Sequence, residues 1–319
     1  MTGLEKKRQL EQILIDKVLP LIDRDYVLYG LPYYNNVGDT LIWNGEIELL
    51  KRAPHKCRGV CSWSNYPKTV LPDDVMILVT GGGYFGDLWR RAWQEVLDGI
   101  RPNRNHRIII MPCSIFYEDA ATRTADAEYL SGFPNLTILA RDKASYDYAR
   151  KYFRNEVMMV PDMAFCMNEK YLVEKAAKQP ERGCLYFCRG DKERSTESVV
   201  IPESDYDTHD WAPMESLLPG ERRFNSLMVQ ANRLWRISRA LRDRAVHYLY
   251  RRVYRRVMTD SGAEQLASYK KIYSTRLHAM ILAVMLDRQV YFIDNSYGKI
   301  KSYYDTWLSD CSVVKPLND

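Results

Sequence analysis

No segment of this 319-residue chain is apolar for long enough to cross a bilayer. The longest apolar stretches, LHAMILAVML at 277–286 among them, run about ten residues, against the roughly 20 that a spanning helix needs. The opening MTGLEKKRQLEQILIDKVL carries acids and bases throughout and lacks the uninterrupted apolar core of a secretory signal, so a cytoplasmic location is expected. Cysteine is few and odd in number, seven, which fits free thiols in a reducing compartment rather than a disulfide framework. The pairs Cys57/Cys61 and Cys184/Cys188 are distant from each other, sit on strand-like runs and lack ligand-loop glycines, so they read as packed thiols and not as zinc ligands. No metal site is expected; Asp205-Tyr206-Asp207 comes nearest to one. Internal repeats and low-complexity tracts are missing, and no Walker lysine follows the glycine-rich turns, which disfavours nucleotide binding of that kind.

What is there suffices for two cores. Hydrophobic residues make up 46% of the chain and charged ones 27%, and at roughly 150 residues per domain the length suggests two domains. Strand-like runs at 26–30, 57–63, 74–83, 107–114, 136–142 and 157–162 alternate with amphipathic helices, the pattern of a parallel sheet covered on both faces. Beyond a polar stretch at 170–183, runs at 184–188, 270–274 and 290–294 alternate with helices at 277–286 and 299–308. The expected fold is α/β, two facing Rossmann-like domains at 1–175 and 176–319.

The net charge of +5 is unevenly spread. Residues 221–257 hold eleven Arg, no Lys and two acids, a local +9, so the rest of the chain is mildly acidic. Within them Leu234, Ile237, Leu241, Ala245, Tyr248, Leu249 and Val253 recur at helical spacing. With Trp235 and Tyr250 nearby, this reads as a basic amphipathic helix whose Arg236, Arg244, Arg251, Arg252 and Arg255 meet an anionic membrane or another polyanion. A core-facing helix with solvated arginines accounts for the same pattern.

Three turns carry the chemistry. In YYNNVGDT, Asn36, Gly38 and Asp39 stand at a helix start, where free backbone N–H groups gather. In VTGGGYFGDLW, Gly82 and Gly83 let a ligand approach a strand end, with Asp87 behind. Both turns are also compatible with purely structural roles. In IYSTRLHAM, Arg276 and His278 fall at a strand-to-helix turn whose dipole favours anions. That combination suits a phosphate or carboxylate, with a histidine able to move a proton near neutral pH; a salt bridge and a satisfied core histidine are the plain alternative.

Taken in order, Asn36-x-Gly38-Asp39, the glycines at 81–83 followed by Asp87, Arg141-Asp142-x-x-Ser145, VPDMAF at 160–165, Arg189-x-Asp191-x-Glu193, STRLHA at 274–279 and Asn295-Ser296-Tyr297 resemble the polysaccharide pyruvyl transferase family. The resemblance covers roughly Tyr26 to Leu308. It implies a GT-B-like arrangement and transfer of a pyruvyl group from phosphoenolpyruvate, the donor substrate, to two hydroxyls of a sugar, with no cofactor. Arg276, Leu277 and His278 fall on the family's R-L-H step; the donor-binding arginine lands on Arg189, with Arg141 second. His278 is then the general acid and Asp39 or Asp87 the base. Asn36, Gly38, Gly82 and Gly83 face the acceptor, a lipid-linked saccharide. A glycosyltransferase using a nucleotide sugar and a noncatalytic nucleic-acid-binding protein are the competing classes; the second leaves the paired domains without purpose, so no nucleic acid is expected as a partner.

Overall fold

The computed structural model describes residues 1–62, 66, 69–190, 200–212, 221–295 and 297–317, without the side chains of 221–223, 235 and 239. Asp191 to Glu193, Ser296 and the Trp235 side chain lie outside the described residues.

The first half runs α1 (Gly3–Lys17), β1 (Tyr26–Leu31), α2 (Val37–Leu50), β2 (Cys57–Ser62), β3 (Met76–Val79), β4 (Gly82–Gly86), α3 (Arg90–Ile100), β5 (Ile108–Phe116), α4 (Ala120–Ser131), β6 (Leu136–Ala140), α5 (Lys143–Tyr152) and β7 (Glu156–Met159). β1 shows why such runs make doubly covered strands. Val27 and Tyr29 enter one buried cluster and Tyr26 and Leu28 the other, a period of two with apolar residues on both faces. Among the described residues the sheet is parallel in the order β2-β1-β3-β5-β6-β7, with β4 paired to the end of β5. The chain leaves β1 in one direction and β3 in the other, so the turns after them diverge at a topological switch point. Those turns are the ones carrying Asn36 and the glycines at 81–83.

The second half runs α6 (Glu169–Ala177), β8 (Arg182–Phe187), β9 (Asp207–His209), α7 (Glu221–Arg233), α8 (Arg239–Leu249), α9 (Arg255–Ala267), β10 (Tyr269–Ser274), α10 (Leu277–Met285), β11 (Gln289–Phe292), α11 (Lys299–Tyr303) and β12 (Val314–Pro316). Its described strands are again parallel, in the order β12-β11-β10-β8-β9. Here the switch point lies between β8 and β10, and Arg189 and Arg276 follow those strands. The α/β fold with two Rossmann-like units is thus as expected from the sequence.

The halves are closely joined. One buried cluster runs from Leu41 and Met76 to Leu185 and Leu282. α1, though first in the chain, packs on α10, and its Gly3 N–H donates to Asp287 (2.7 Å). α11 reaches back the other way: the Tyr303 hydroxyl accepts from the Asp162 N–H (3.0 Å), and Trp307 donates to the Arg141 carbonyl (2.8 Å).

The arginine segment differs from the single helix expected. α7 ends in a tight turn at Leu234–Arg236, and Ser238 caps a new helix, α8, which passes through a widened turn at Tyr250–Tyr254 into α9. Ser238 supplies the break, because its side chain competes for the backbone amides that would continue α7. Leu249, Tyr250, Val253 and Tyr254 pack on the core, whereas Ile237, Leu241 and Tyr248 are exposed. Arg236, Arg244, Arg251 and Arg252 are exposed. Arg255 is not a surface contact: its guanidinium lies 5.6 Å over the Trp43 ring and donates to Asn44. The stripe therefore divides between core and solvent.

Candidate active site

The two switch points face one another across a cleft of about 670 Å³, within the usual range for small-molecule sites. Its lining brings together Asn36, Asp39, Gly83, Asp87 and Arg141 from the first half and Arg189, Arg276, Leu277 and His278 from the second. These residues are spread over more than 240 positions of sequence, so the fold alone assembles them.

On the second wall, β10 ends in Ser274, Thr275 lies just beyond it, and its hydroxyl accepts from the Arg189 N–H (2.9 Å), tying the two strand ends. Arg276 is the N-cap of α10 and makes no side-chain cap bond, and the first-turn residues Leu277 and His278 line the cleft. Its Nε and Nη2 donate to both Asp210 oxygens (2.5 and 2.6 Å), a forked pair that fixes the guanidinium plane. His278 comes one residue into α10. Its Nε2 lies 3.3 Å from Asp162 Oδ2, which also accepts from Arg141 Nη1 at 2.8 Å. Burial alone would push the Asp162 carboxyl up, but His278 and then Arg141 more than offset it and hold it well below the usual carboxylate range. A carboxylate only accepts, so Nε2 carries the hydrogen in that bond. On the other side of the ring, a Cβ on Gly38 would sit 2.5 Å from His278 Nδ1. Gly38, expected to face the acceptor, is instead the floor on which the imidazole packs.

On the first wall, Asn36 caps α2 by accepting from the Asp39 N–H (3.3 Å). Asp39 Oδ2 accepts from Tyr34 and Asn36 (2.8 and 2.7 Å), while Oδ1 lies on the side of Gly82. Asp87 is placed differently from the base expected of it. Its two oxygens accept from the Glu118 and Asp119 N–H groups (2.7–3.0 Å), so it holds the turn into α4. Gly82 takes φ +155°, a backbone conformation side chains rarely adopt, as the chain turns into β4. The glycines at 81, 83 and 86 do have G-x-G-x-x-G spacing, but they lead into a strand and not a helix start, so the dinucleotide-binding context is absent there. Beneath them Glu46, fully buried, accepts from the Gly81 N–H (3.0 Å) and is pushed up to about 8 by burial.

Sequence reasoning missed Asp162, Lys299, Asp210 and Trp211. Asp162 lies inside the VPDMAF run and Lys299 just after Asn295-Ser296-Tyr297, so motif proximity was the available signal. Asp210 belongs to no recognised motif.

Two Rossmann-like units around a cleft lined by arginines, with a buried Arg–Asp–His cluster in it, fit an α/β enzyme, and among the described residues no helix is long and apolar enough to cross a membrane. The family follows from comparison: residues 36–297 match the polysaccharide pyruvyl transferase model, and the chain belongs to that family. It is 30% identical to EpsO of Bacillus subtilis (strain 168), named as a candidate pyruvyl transferase, over 97% of this chain and 91% of that one. It is 24% identical to Pyruvyl transferase 1 of Schizosaccharomyces pombe (strain 972 / ATCC 24843), over 90% of this chain and 70% of that one. The fold is shared with the crystal structure of KP1_0663, a functionally uncharacterised protein of Klebsiella pneumoniae subsp. pneumoniae NTUH-K2044. There the TM-score is 0.59 and the identity 21%, over 96% and 94% of the two chains.

Proposed function

We propose that the protein forms a cyclic pyruvyl ketal on a sugar, taking the pyruvyl group from phosphoenolpyruvate. The family supports pyruvyl transfer in polysaccharide synthesis; the observation that carries the donor is the convergence of Arg276, Arg189, the α10 N terminus and Arg141 around His278. A small dianion with a phosphate and a carboxylate suits such a site electrostatically.

In this reading His278 protonates the methylene carbon, which makes C2 electrophilic, and one sugar hydroxyl adds there as Asp39 takes its proton. The C2–O bond to phosphate then breaks, phosphate leaves with the electron pair, and the second hydroxyl closes the ketal with loss of its proton. Asn36 and Gly82 lie on the acceptor side. The acceptor is a galactose-type residue on a polyprenyl diphosphate. Phosphate release from phosphoenolpyruvate that depends on adding a lipid-linked or model galactoside tests the reading. A nucleotide-sugar transferase would instead release a nucleoside diphosphate, and a nucleic-acid-binding protein would release neither.

The same reading places the protein peripherally on the inner face of the cytoplasmic membrane. Exposed Leu227, Val229, Ile237, Leu241 and Tyr248 lie on α7, α8 and their connection, which also carry exposed Arg236 and Arg244, with exposed Arg251 and Arg252 in the widened turn that follows. Each basic side chain near an anionic surface contributes roughly 1 kcal/mol, so changing these four arginines to Gln is expected to abolish flotation with anionic liposomes. Equal flotation of both forms would remove the membrane assignment.

A further inference from the structure

One buried acid has no place in the mechanism so far. Glu46 follows Asp39 by about two turns of α2, so both project from one face of the helix, Asp39 into the cleft and Glu46 into the layer beneath it. On one side α2 packs directly on the residues after β7: a Cβ on Gly45 would lie 1.7 Å from the carbonyl oxygen of Met163, the neighbour of Asp162. On the other, the chain leaves β3 through Thr80 and Gly81. Gly81 is closed in from β5 as well, since a Cβ there would lie 2.3 Å from the Pro112 carbonyl oxygen. Glu46 Oε1 accepts from the Gly81 N–H (3.0 Å). Its Oε2 is buried without a hydrogen-bond partner among the described residues, and so is the Thr80 hydroxyl beside it.

The groups that face Glu46 are Asp39 on its own helix, Asp162 beyond Gly45 and the Tyr84 hydroxyl on β4. Among the described residues no Lys, Arg or His pairs with it; Arg141 and His278 are engaged with Asp162. An ionised Glu46 would be a buried charge near two others of its own sign, which is unfavourable. The neutral acid instead has a hydroxyl to give to Thr80 Oγ1 while its other oxygen accepts from Gly81, so that one side chain ties together two successive residues of the turn.

We propose that Glu46 is a positioning residue that works as the neutral acid, bridging Thr80 and Gly81 to hold the glycine turn against Asp39, and that its ionisation loosens this turn and sets an alkaline limit on turnover. The turn bears on the chemistry through Gly82, which lies on the side of Asp39 Oδ1, whereas Tyr34 and Asn36 donate to Oδ2. Backbone held there bounds the space in which an acceptor hydroxyl meets the base. This kinetic role rests on the ketal-forming reading with Asp39 as base; the proton on Glu46 does not.

Glu46→Gln, isosteric with the neutral acid, and Glu46→Met, which fills the same space without hydrogen bonds, are compared with the wild type. Turnover is followed as phosphate release from phosphoenolpyruvate with a galactoside acceptor. At pH 7 Glu46→Gln is expected to stay within about 3-fold of wild type and Glu46→Met to fall about 10-fold, the value of the lost hydrogen bonding. Burial pushes Glu46 up to about 8, so between pH 7 and pH 9 the wild type should lose about 10-fold relative to Glu46→Gln, a ratio from which the titration of His278 cancels. Melting temperature reads the same proton without any substrate. The folded carboxyl keeps it up to about 8 and the unfolded one only up to the ordinary 4.5, so the stability it confers is complete below 4.5 and is lost as pH rises to about 8. The wild type should therefore fall by roughly 5 °C relative to Glu46→Gln from pH 5 to pH 8 and run parallel to it above. Parallel melting profiles from pH 5 to pH 8 would mean that Glu46 is ionised in the fold and overturn the proposal. The same turnover profile for wild type and Glu46→Gln, or a fully active Glu46→Met, overturns it too. A wild type that releases no phosphate removes the ketal reading and the kinetic role with it, while the melting profiles still decide whether Glu46 is neutral.

Discussion

His278→Gln is expected to lower phosphate release from phosphoenolpyruvate by about 10²–10⁴-fold, the range over which positioned general acids act. Glutamine keeps a donor for Asp162 but has no proton to deliver to carbon. The donor site is otherwise left intact, because Arg276 is held by Asp210 and Arg189 by Thr275, neither through the imidazole. Phospholactate affinity should therefore stay within a few-fold of wild type while kcat falls, a split that separates loss of the acid from loss of binding. Near-normal turnover in this variant would remove His278 from the mechanism.

The same ring explains which parts of the site could be read from the sequence. Residues named for their chemistry at strand ends, Arg276, His278, Arg189 and Asp39, do reach one cleft, because in parallel sheets the C-terminal strand edges at the switch points are where ligands bind. Roles that depend on partners were not legible. Asp87 has the residue type of a base, yet its oxygens are taken up by two amides thirty residues later in the chain. Gly38 looked like a ligand-facing turn, and only the approach of α2 to α10 shows that it makes room for an imidazole. Arg255 carried the right charge for a membrane face, but the widened turn at Tyr250–Tyr254 shifts the register after α8, and Arg255 meets Trp43. A one-dimensional pattern holds periodicity and charge. It does not hold the insertion that shifts a helix face.

Asp162→Asn is the substitution expected to cost most in stability while changing only one atom. Asp162 is fully buried and faces Arg141, itself 1% exposed, so the variant leaves a buried guanidinium beside His278 without its carboxylate. Breaking a buried pair from one side typically costs about 3–5 kcal/mol, and for a chain of this size that is roughly 4–8 °C in melting temperature. The carboxyl is held below its ordinary value of 3.8, so its ionisation stabilises the fold fully above that pH and is lost only as pH falls further. The deficit of the variant is accordingly constant across neutral pH and narrows below about 3.8. An anion delivered to the cleft replaces part of the missing charge: inorganic phosphate is expected to raise the melting temperature of Asp162→Asn more than that of the wild type. Calorimetric scans with and without phosphate measure both effects. Equal melting temperatures for the two proteins at pH 7 would mean that Arg141 does not depend on Asp162, and that the cleft tolerates its positive charge without a counterion.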